Sequence, residues 1–335
     1  MKGLVISISV VLGVILGMYP SLTKAKPKWW QVLVIVLFAI NLIIILSPVL
    51  VTDLNYVNFL TEAKSNEELV INPNEGQIKF NSSKDTLTLA PLEYPLVAAT
   101  HLDNINGKLL KIRFNPQKAQ YDIIDIVNKS FVPLTYPYIL ELKERIKIMV
   151  LHVPVAWTSV LAYLFSMIFA IMYLRKKEHK YDTYAVSAAG VGVIMTILAT
   201  ITGMIWAKFN WGSYWNWDPR ETSIFILLLI YFAYFALRQS IENPDNRARL
   251  SAVYSIIAFA TVPFFIFILP RISSGLHPGA AGEGTSGPVL GGGTEMLDHN
   301  LLITFGFSMF CFTLLFFWML NLKIRSEILY EKNIK

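Results

Sequence analysis

The chain has 335 residues, 54% of them hydrophobic and 16% charged, with a mean hydropathy of +0.50, which is too apolar for a soluble domain of this length. The net charge of +6 calls for no nucleic acid, because the basic residues gather in short connections where they anchor spans to a membrane surface. The single cysteine, Cys311, excludes a disulfide framework and a thiol relay.

A helix needs about 20 apolar residues to cross the hydrocarbon. Stretches of that kind occupy 2–19, 30–50, 147–174, 184–206, 222–239, 250–270 and 299–321. The expected fold class is an all-α integral membrane protein of about seven transmembrane helices with a small α+β external insert. The first stretch follows a single lysine and ends in Met18-Tyr19-Pro20 rather than in a small-residue cleavage site, so it reads as a retained helix.

Residues 1–50 then hold two N-terminal helices, and 51–145 form the external insert. Residues 146–321 form a five-helix core that includes a connection at 206–222 and a Gly-rich external loop at 272–298; 322–335 form a cytoplasmic tail. Within the insert, a helix is expected around Asn55–Lys64, with short strands at Gln77–Asn81, Thr86–Ala90 and Lys108–Phe114, where polar and apolar residues alternate, and a turn at Asn106-Gly107. No glycine follows Tyr138 for many residues, so the third span is expected to start there as one continuous helix through Leu174. Seven glycines between Gly279 and Gly293 read equally as a lid, a tether or a plain flexible connector.

Short-loop charge sets the orientation. Lys24, Lys26 and Lys28, then Arg175, Lys176, Lys177 and Lys180, then Arg238, Arg247 and Arg249, then Lys323, Arg325, Lys332 and Lys335 fall on one side, whereas the opposite short segments carry Lys2, Lys208, Arg220 and Arg271. The positive-inside rule makes the first side cytoplasmic and puts the 206–222 connection outside.

That connection contains Trp206, Trp211, Trp215 and Trp217, four of the chain's eight tryptophans, with Tyr214 among them. Aromatic residues also collect at membrane interfaces, which accounts for Trp29, Trp30 and Trp318. The denser run points to a shelf for a planar ligand. After it, Asp218-Pro219-Arg220-Glu221 reads as a helix start, with Asp as N-cap, Pro at the first helical position and Glu reaching back to the cap. The cap is expected to keep the tryptophan run out of the helix and to aim a positive helix end at the shelf.

Three of five histidines fall at the same outer level: His152 one or two turns into the third span, His277 after the sixth, and His299 at the start of the seventh. His179 falls in a cytoplasmic loop and His101 in the insert without a surrounding motif. Ionisable residues at membrane depth are costly and therefore candidates for function. With no thiolate set and no close third ligand for a tetrahedral metal site, two axial imidazoles beside an aromatic shelf match six-coordinate haem iron. Without a Cys-x-x-Cys-His motif the haem would be haem b, held non-covalently. Lys208, Arg220 and Arg271 are candidates to meet its propionates.

Trp211-Gly212-Ser213-Tyr214-Trp215-Asn216-Trp217-Asp218 resembles the tryptophan-rich motif of the haem-handling membrane proteins of cytochrome c biogenesis, a motif flanked by two outer histidines. Across roughly 30–321, insert aside, His152-Val-Pro-Val-Ala-Trp-Thr-Ser159 and the reach from Gly203 to Trp217 are most similar to the haem exporter C branch. The Asp-Pro-Arg-Glu-Thr ending and the extra helices are closer to the cytochrome c synthase subunit. The resemblance implies His152 and His277 as axial ligands, with His299 in reserve, and the tryptophan run, together with Asp218, as the haem-binding shelf. It further implies delivery of haem at the outer face of the cytoplasmic membrane to a haem chaperone, with ABC-type export subunits as partners: a transfer protein rather than an enzyme. The alternative is a synthase (haem lyase) subunit working with a partner subunit on apocytochrome c. A b-type electron-transfer cytochrome fits less well, because His179 is the sole histidine on the cytoplasmic side.

Overall fold

The computed structural model describes residues 2–51, 53–62, 67–81, 86–98, 108–128, 135–137, 142–277 and 299–334. His101, the Asn106-Gly107 turn and the glycine-rich stretch 279–293 lie outside the described residues. The chain divides into a helical unit (Met1–Leu42, Lys147–Leu297 and Leu302–Lys335) and an insert unit (Ile43–Ile146 with Asp298–Leu301).

The protein is an all-α membrane protein with a small mixed sheet in the insert. In chain order the helices are α1 (Lys2–Met18), α2 (Lys28–Ile45), α3 (Leu54–Glu62), α4 (Ile146–Lys176), α5 (His179–Trp211), α6 (Pro219–Gln239), α7 (Pro244–Pro263), α8 (Leu269–Ile272) and α9 (His299–Ile334). Among the described residues six helical stretches are long and apolar enough to cross a membrane, carried by α2, α4, α5, α6, α7 and α9. The expected count of about seven differs by α1, which is apolar but only 17 residues long. It stops at Met18, ahead of Pro20, whose ring disfavours helix in the residue before it.

Two boundaries differ from expectation. Helix α4 begins at Ile146 rather than near Tyr138: Tyr136–Pro137 is a strand, and Lys143, at φ 50°, has a backbone no α-helix accommodates. Helix α5 continues past 206 to Trp211, where Gly212 at φ 81° forms the C-cap and donates its N–H to Lys208 O at 3.1 Å. The first half of the tryptophan run is therefore helical, contrary to expectation. His179, expected in a loop, is the first residue of α5; its Nε2 lies 2.9 Å from Asp245 Oδ1.

In the helical unit α9 is central, with 72% of its apolar window buried against 22% for α2. Phe312, Phe316, Phe317 and Leu320 of α9 pack with Leu161, Phe169 and Tyr173 of α4 and with Ala188, Val191 and Met195 of α5. Small residues on α5 allow close approach: a Cβ on Gly192 would lie 2.5 Å from Tyr163 Cε1. Tyr163 stacks on Tyr231 of α6 at 3.6 Å and hydrogen-bonds Thr196 at 2.7 Å. Polar links knit the helices where lipid offers no partner: Ser166 Oγ donates to Ala185 O at 2.9 Å and lies 3.0 Å from Ser255 Oγ, and Asn321 Nδ2 donates to Leu22 O at 2.8 Å. Pro154 leaves Val150 O without its usual donor in α4; Ser308 of α9 donates to that carbonyl at 3.3 Å.

The insert unit contains β1 (Val49–Leu50), β2 (Glu68–Ile71), β3 (Gln77–Asn81), β4 (Thr86–Ala90), β5 (Leu96–Ala98), β6 (Lys108–Asn115), β7 (Gln120–Asn128) and β8 (Tyr136–Pro137). Strands β1 and β8 pair in parallel, and the other six form a sheet of order β2-β6-β7-β5-β4-β3, antiparallel except for β5 and β7. Leu54, Val57 and Leu60 of α3 bury against Ile71, Leu87, Leu89, Leu96, Leu110 and Ile112 of the sheet. Strands β3, β4 and β6 coincide with the alternating segments; β2, β5 and β7 were not anticipated. Strand β2 is a short apolar run without alternation, β5 has three residues, and β7 breaks alternation at Ile123-Ile124 opposite a β-bulge between Lys111 and Ile112.

Candidate functional site

The site lies within the helical unit, where α4 and α5, the connection 212–218, the start of α6 and the segment after α8 contribute side chains. His152 sits on α4 with Nδ1 2.9 Å from Thr202 Oγ1 of α5. The Thr202 hydroxyl lies within reach of two carbonyls of its own helix, Leu198 O at 2.9 Å and Ala199 O at 3.1 Å, and with its proton given to either it accepts from His152. This arrangement corresponds to the Nδ1–H tautomer, in which Nε2 keeps its lone pair. Gly203 makes the room: a Cβ there would lie 3.1 Å from His152 Cε1.

His277 is held by a charged partner. Its Nδ1 lies 2.7 Å from Asp218 Oδ1. Asp218 is buried and is the N-cap of α6 in a complete capping box, receiving Arg220 N–H at 2.9 Å while Glu221 Oε2 reaches back to the cap N–H at 3.3 Å. Its second oxygen accepts Leu276 N–H at 2.6 Å. Burial works to raise the Asp218 pKa, but the His277 contact and the backbone donors outweigh it and hold the carboxyl at about 2. An ionised carboxylate only accepts, so His277 also carries its proton on Nδ1. Among the described residues the side-chain hydrogen bonds of both rings run through Nδ1, and the His152 ring also meets the backbone carbonyl of Ala199. His277 and Arg220 both lie close enough to His152 to act on it electrostatically.

The aromatic residues surround this pair unevenly. Trp211, the last residue of α5, meets the His277 ring edge-on at 4.5 Å. Trp215 and Trp217 stand perpendicular at 5.7 Å. Trp217 is 70% exposed and held at φ 56°, and Tyr214 is 55% exposed. Trp206 is buried within α5. Glu221 Oε2 also takes Asn216 N–H at 2.7 Å, so the capping carboxylate shapes the connection as well as the helix start.

Of the cationic candidates, Lys208 donates to Gly212 O at 2.9 Å and lies 5.4 Å over the Tyr214 ring. The backbone of Arg220 is engaged by Asp218. Arg271 lies on α8, and His299 opens α9. Thr202, Gly203 and Gly275 escaped sequence reasoning. The available signal was small residues beside two histidine-bearing segments, Thr202-Gly203 and Gly275-Leu-His277.

Among the described residues no group of three or more His, Cys, Asp and Glu side chains is placed to hold a bare metal ion. Two imidazoles held through Nδ1 suit an iron whose other four ligands come from a macrocycle.

Residues 120–335 match the family model described as heme exporter protein C. The chain is 34% identical over 183 residues to heme exporter protein C of Paracoccus denitrificans, covering 55% of this chain and 73% of that one. It is 35% identical over 146 residues to the protein of the same name from Rhodobacter capsulatus, covering 43% and 60%. The cytochrome c biogenesis protein CcsA of Spinacia oleracea is 33% identical over 96 residues, 29% of each chain.

Proposed function

The chain belongs to the heme exporter protein C family, and from that premise we propose that it binds haem b non-covalently at the outer face of the cytoplasmic membrane and delivers it to a haem chaperone for cytochrome c maturation. The observation that carries this reading is the pair His152 and His277, each held through Nδ1 and each offering Nε2. Trp211, Trp215 and Trp217 supply aromatic surface beside the pair, and Lys208, Arg220 and Arg271 the cations for propionates. The basic last turns of α4 (Arg175, Lys176) and α6 (Arg238) support the orientation with the tryptophan connection outside.

Protein purified from a haem-sufficient host should show a low-spin bis-imidazole spectrum and a haem-dependent complex with the chaperone that is lost in His152→Ala. The synthase reading draws on the likeness to the protein named CcsA and on the Asp-Pro-Arg-Glu start of α6. Co-expression with a reporter apocytochrome in cells lacking their own assembly genes separates the two. Covalent haem on the reporter without any chaperone would overturn the delivery reading.

A further inference from the structure

We propose that Asp218 makes the two axial positions unequal: it is a positioning residue that keeps His277 as the permanent haem ligand, while His152 is the ligand surrendered when haem leaves. This rests on the ligand reading above.

The asymmetry lies in what each Nδ1–H meets. His277 donates to a buried carboxylate and His152 to a neutral hydroxyl. Charge-assisted hydrogen bonds are roughly twice as strong as neutral ones. A carboxylate behind a ligating imidazole also raises the basicity of the ligand and orients its ring. With haem bound, Asp218 would therefore lend His277 an anionic character that His152, facing a neutral hydroxyl, would lack.

Mechanical fixation runs the same way. Asp218 is anchored as the cap of α6, and it grips the chain beside His277 as well as the ring, through Leu276 N–H at 2.6 Å. Gly275 lets the carboxylate come this close, since a Cβ there would lie 2.7 Å from Oδ2. The hydrogen-bond partners of His152 are neutral groups, the Thr202 hydroxyl and the backbone carbonyl of Ala199.

Release then follows as ligand exchange on one face. His152 would give up its place on the iron to an incoming neutral donor, while His277 would keep its own. Such an exchange would need no change of oxidation state, and the His152 proton would stay on Nδ1.

The test uses the full chain loaded with haem. Asp218→Asn retains the capping capacity of the position while removing the charge. It should weaken ferric binding relative to ferrous about tenfold, a rise of about 59 mV in midpoint potential for one electron, and it should shift the Fe–CO stretch of the ferrous CO adduct. Thr202→Val should leave that stretch unchanged, because CO replaces His152.

An independent arm avoids altering the cap. His152→Gly should give the wild-type Fe–CO band and His277→Gly should not. An unchanged potential in Asp218→Asn, or an Fe–CO band that follows Thr202 or His152 instead of Asp218 and His277, overturns the proposal. Bis-imidazole spectra surviving in both histidine variants would instead overturn the ligand reading beneath it.

Discussion

Asp218 and Gly275 are in such close approach that a single methyl group on the glycine would lie 2.7 Å from Asp218 Oδ2 and 3.0 Å from Pro219 Cδ. That approach is what allows one carboxylate to cap α6 and hold the segment carrying His277. Gly275→Ala should therefore cost about 1–3 kcal/mol, the usual range for overpacking, and should reduce haem retention. Gly190→Ala is the control, because its new Cβ would meet nothing nearer than Phe235 Cζ at 3.8 Å. Thermal unfolding in detergent measures both, and equal midpoints for the two variants would remove the close-approach argument.

The histidines separate by chemistry. His152→Ala and His277→Ala should each abolish the low-spin bis-imidazole spectrum, whereas His179→Ala, which removes only an exposed contact to Asp245, should leave it intact. Optical and electron-paramagnetic spectra of the three purified variants provide the check. A normal spectrum in either outer-histidine variant withdraws that residue as a ligand and brings His299 forward.

Replacing Trp211, Trp215 and Trp217 together by Ala should weaken haem retention severely and singly only in part, since an aromatic contact contributes about 0.5–1.5 kcal/mol beyond its burial. Trp29, 57% exposed, is the matched interface control. Trp30 is unsuitable because it is buried and its Nε1 donates to Leu16 O at 3.1 Å. Comparable haem loss in Trp29→Ala and the triple variant would favour a plain interfacial belt.

Lys26 gives a pH dependence away from the site. It is buried between α1 and α2, donates to Gly17 O at 2.6 Å and Tyr19 O at 2.5 Å, and lies 5.0 Å over Trp30. Burial lowers its pKa to about 8 from 10.5. Between those values the unfolded chain holds a proton that the folded chain has released, so stability rises with pH across that window. The thermal midpoint of the wild type relative to Lys26→Met should increase from pH 8 toward pH 10.5; a flat difference would show that burial does not penalise the charge.

Much of the helical unit was legible because bilayer thickness imposes a length on apolar runs, and five of the six spanning stretches fall on runs visible in the sequence together with a sixth, α2, whose run reads past the helix end. That overshoot has a local cause: Pro48 and the pairing of Val49–Leu50 with Tyr136–Pro137 recruit apolar residues into a strand. The same kind of override set the start of α4, where long-range pairing and a positive φ at Lys143 outweighed a glycine-free run. Capping chemistry was legible at Asp218 because its partners are within three residues. Gly212 as the end of α5 is equally local, because a glycine just past the helix takes the positive φ that the C-cap requires.

The sequence by itself determined a membrane protein, its charge asymmetry, the α6 cap and the short set of candidate residues for a planar iron ligand, since each follows from composition or from spacing within a few residues. Tertiary structure alone decided which partner each histidine acquires. Thr202 is 50 residues from His152 and Asp218 is 59 from His277, and no periodicity records a hydrogen bond over such separations. It is helix packing that sets a hydroxyl behind one imidazole and a carboxylate behind the other, and so makes two identical side chains chemically different.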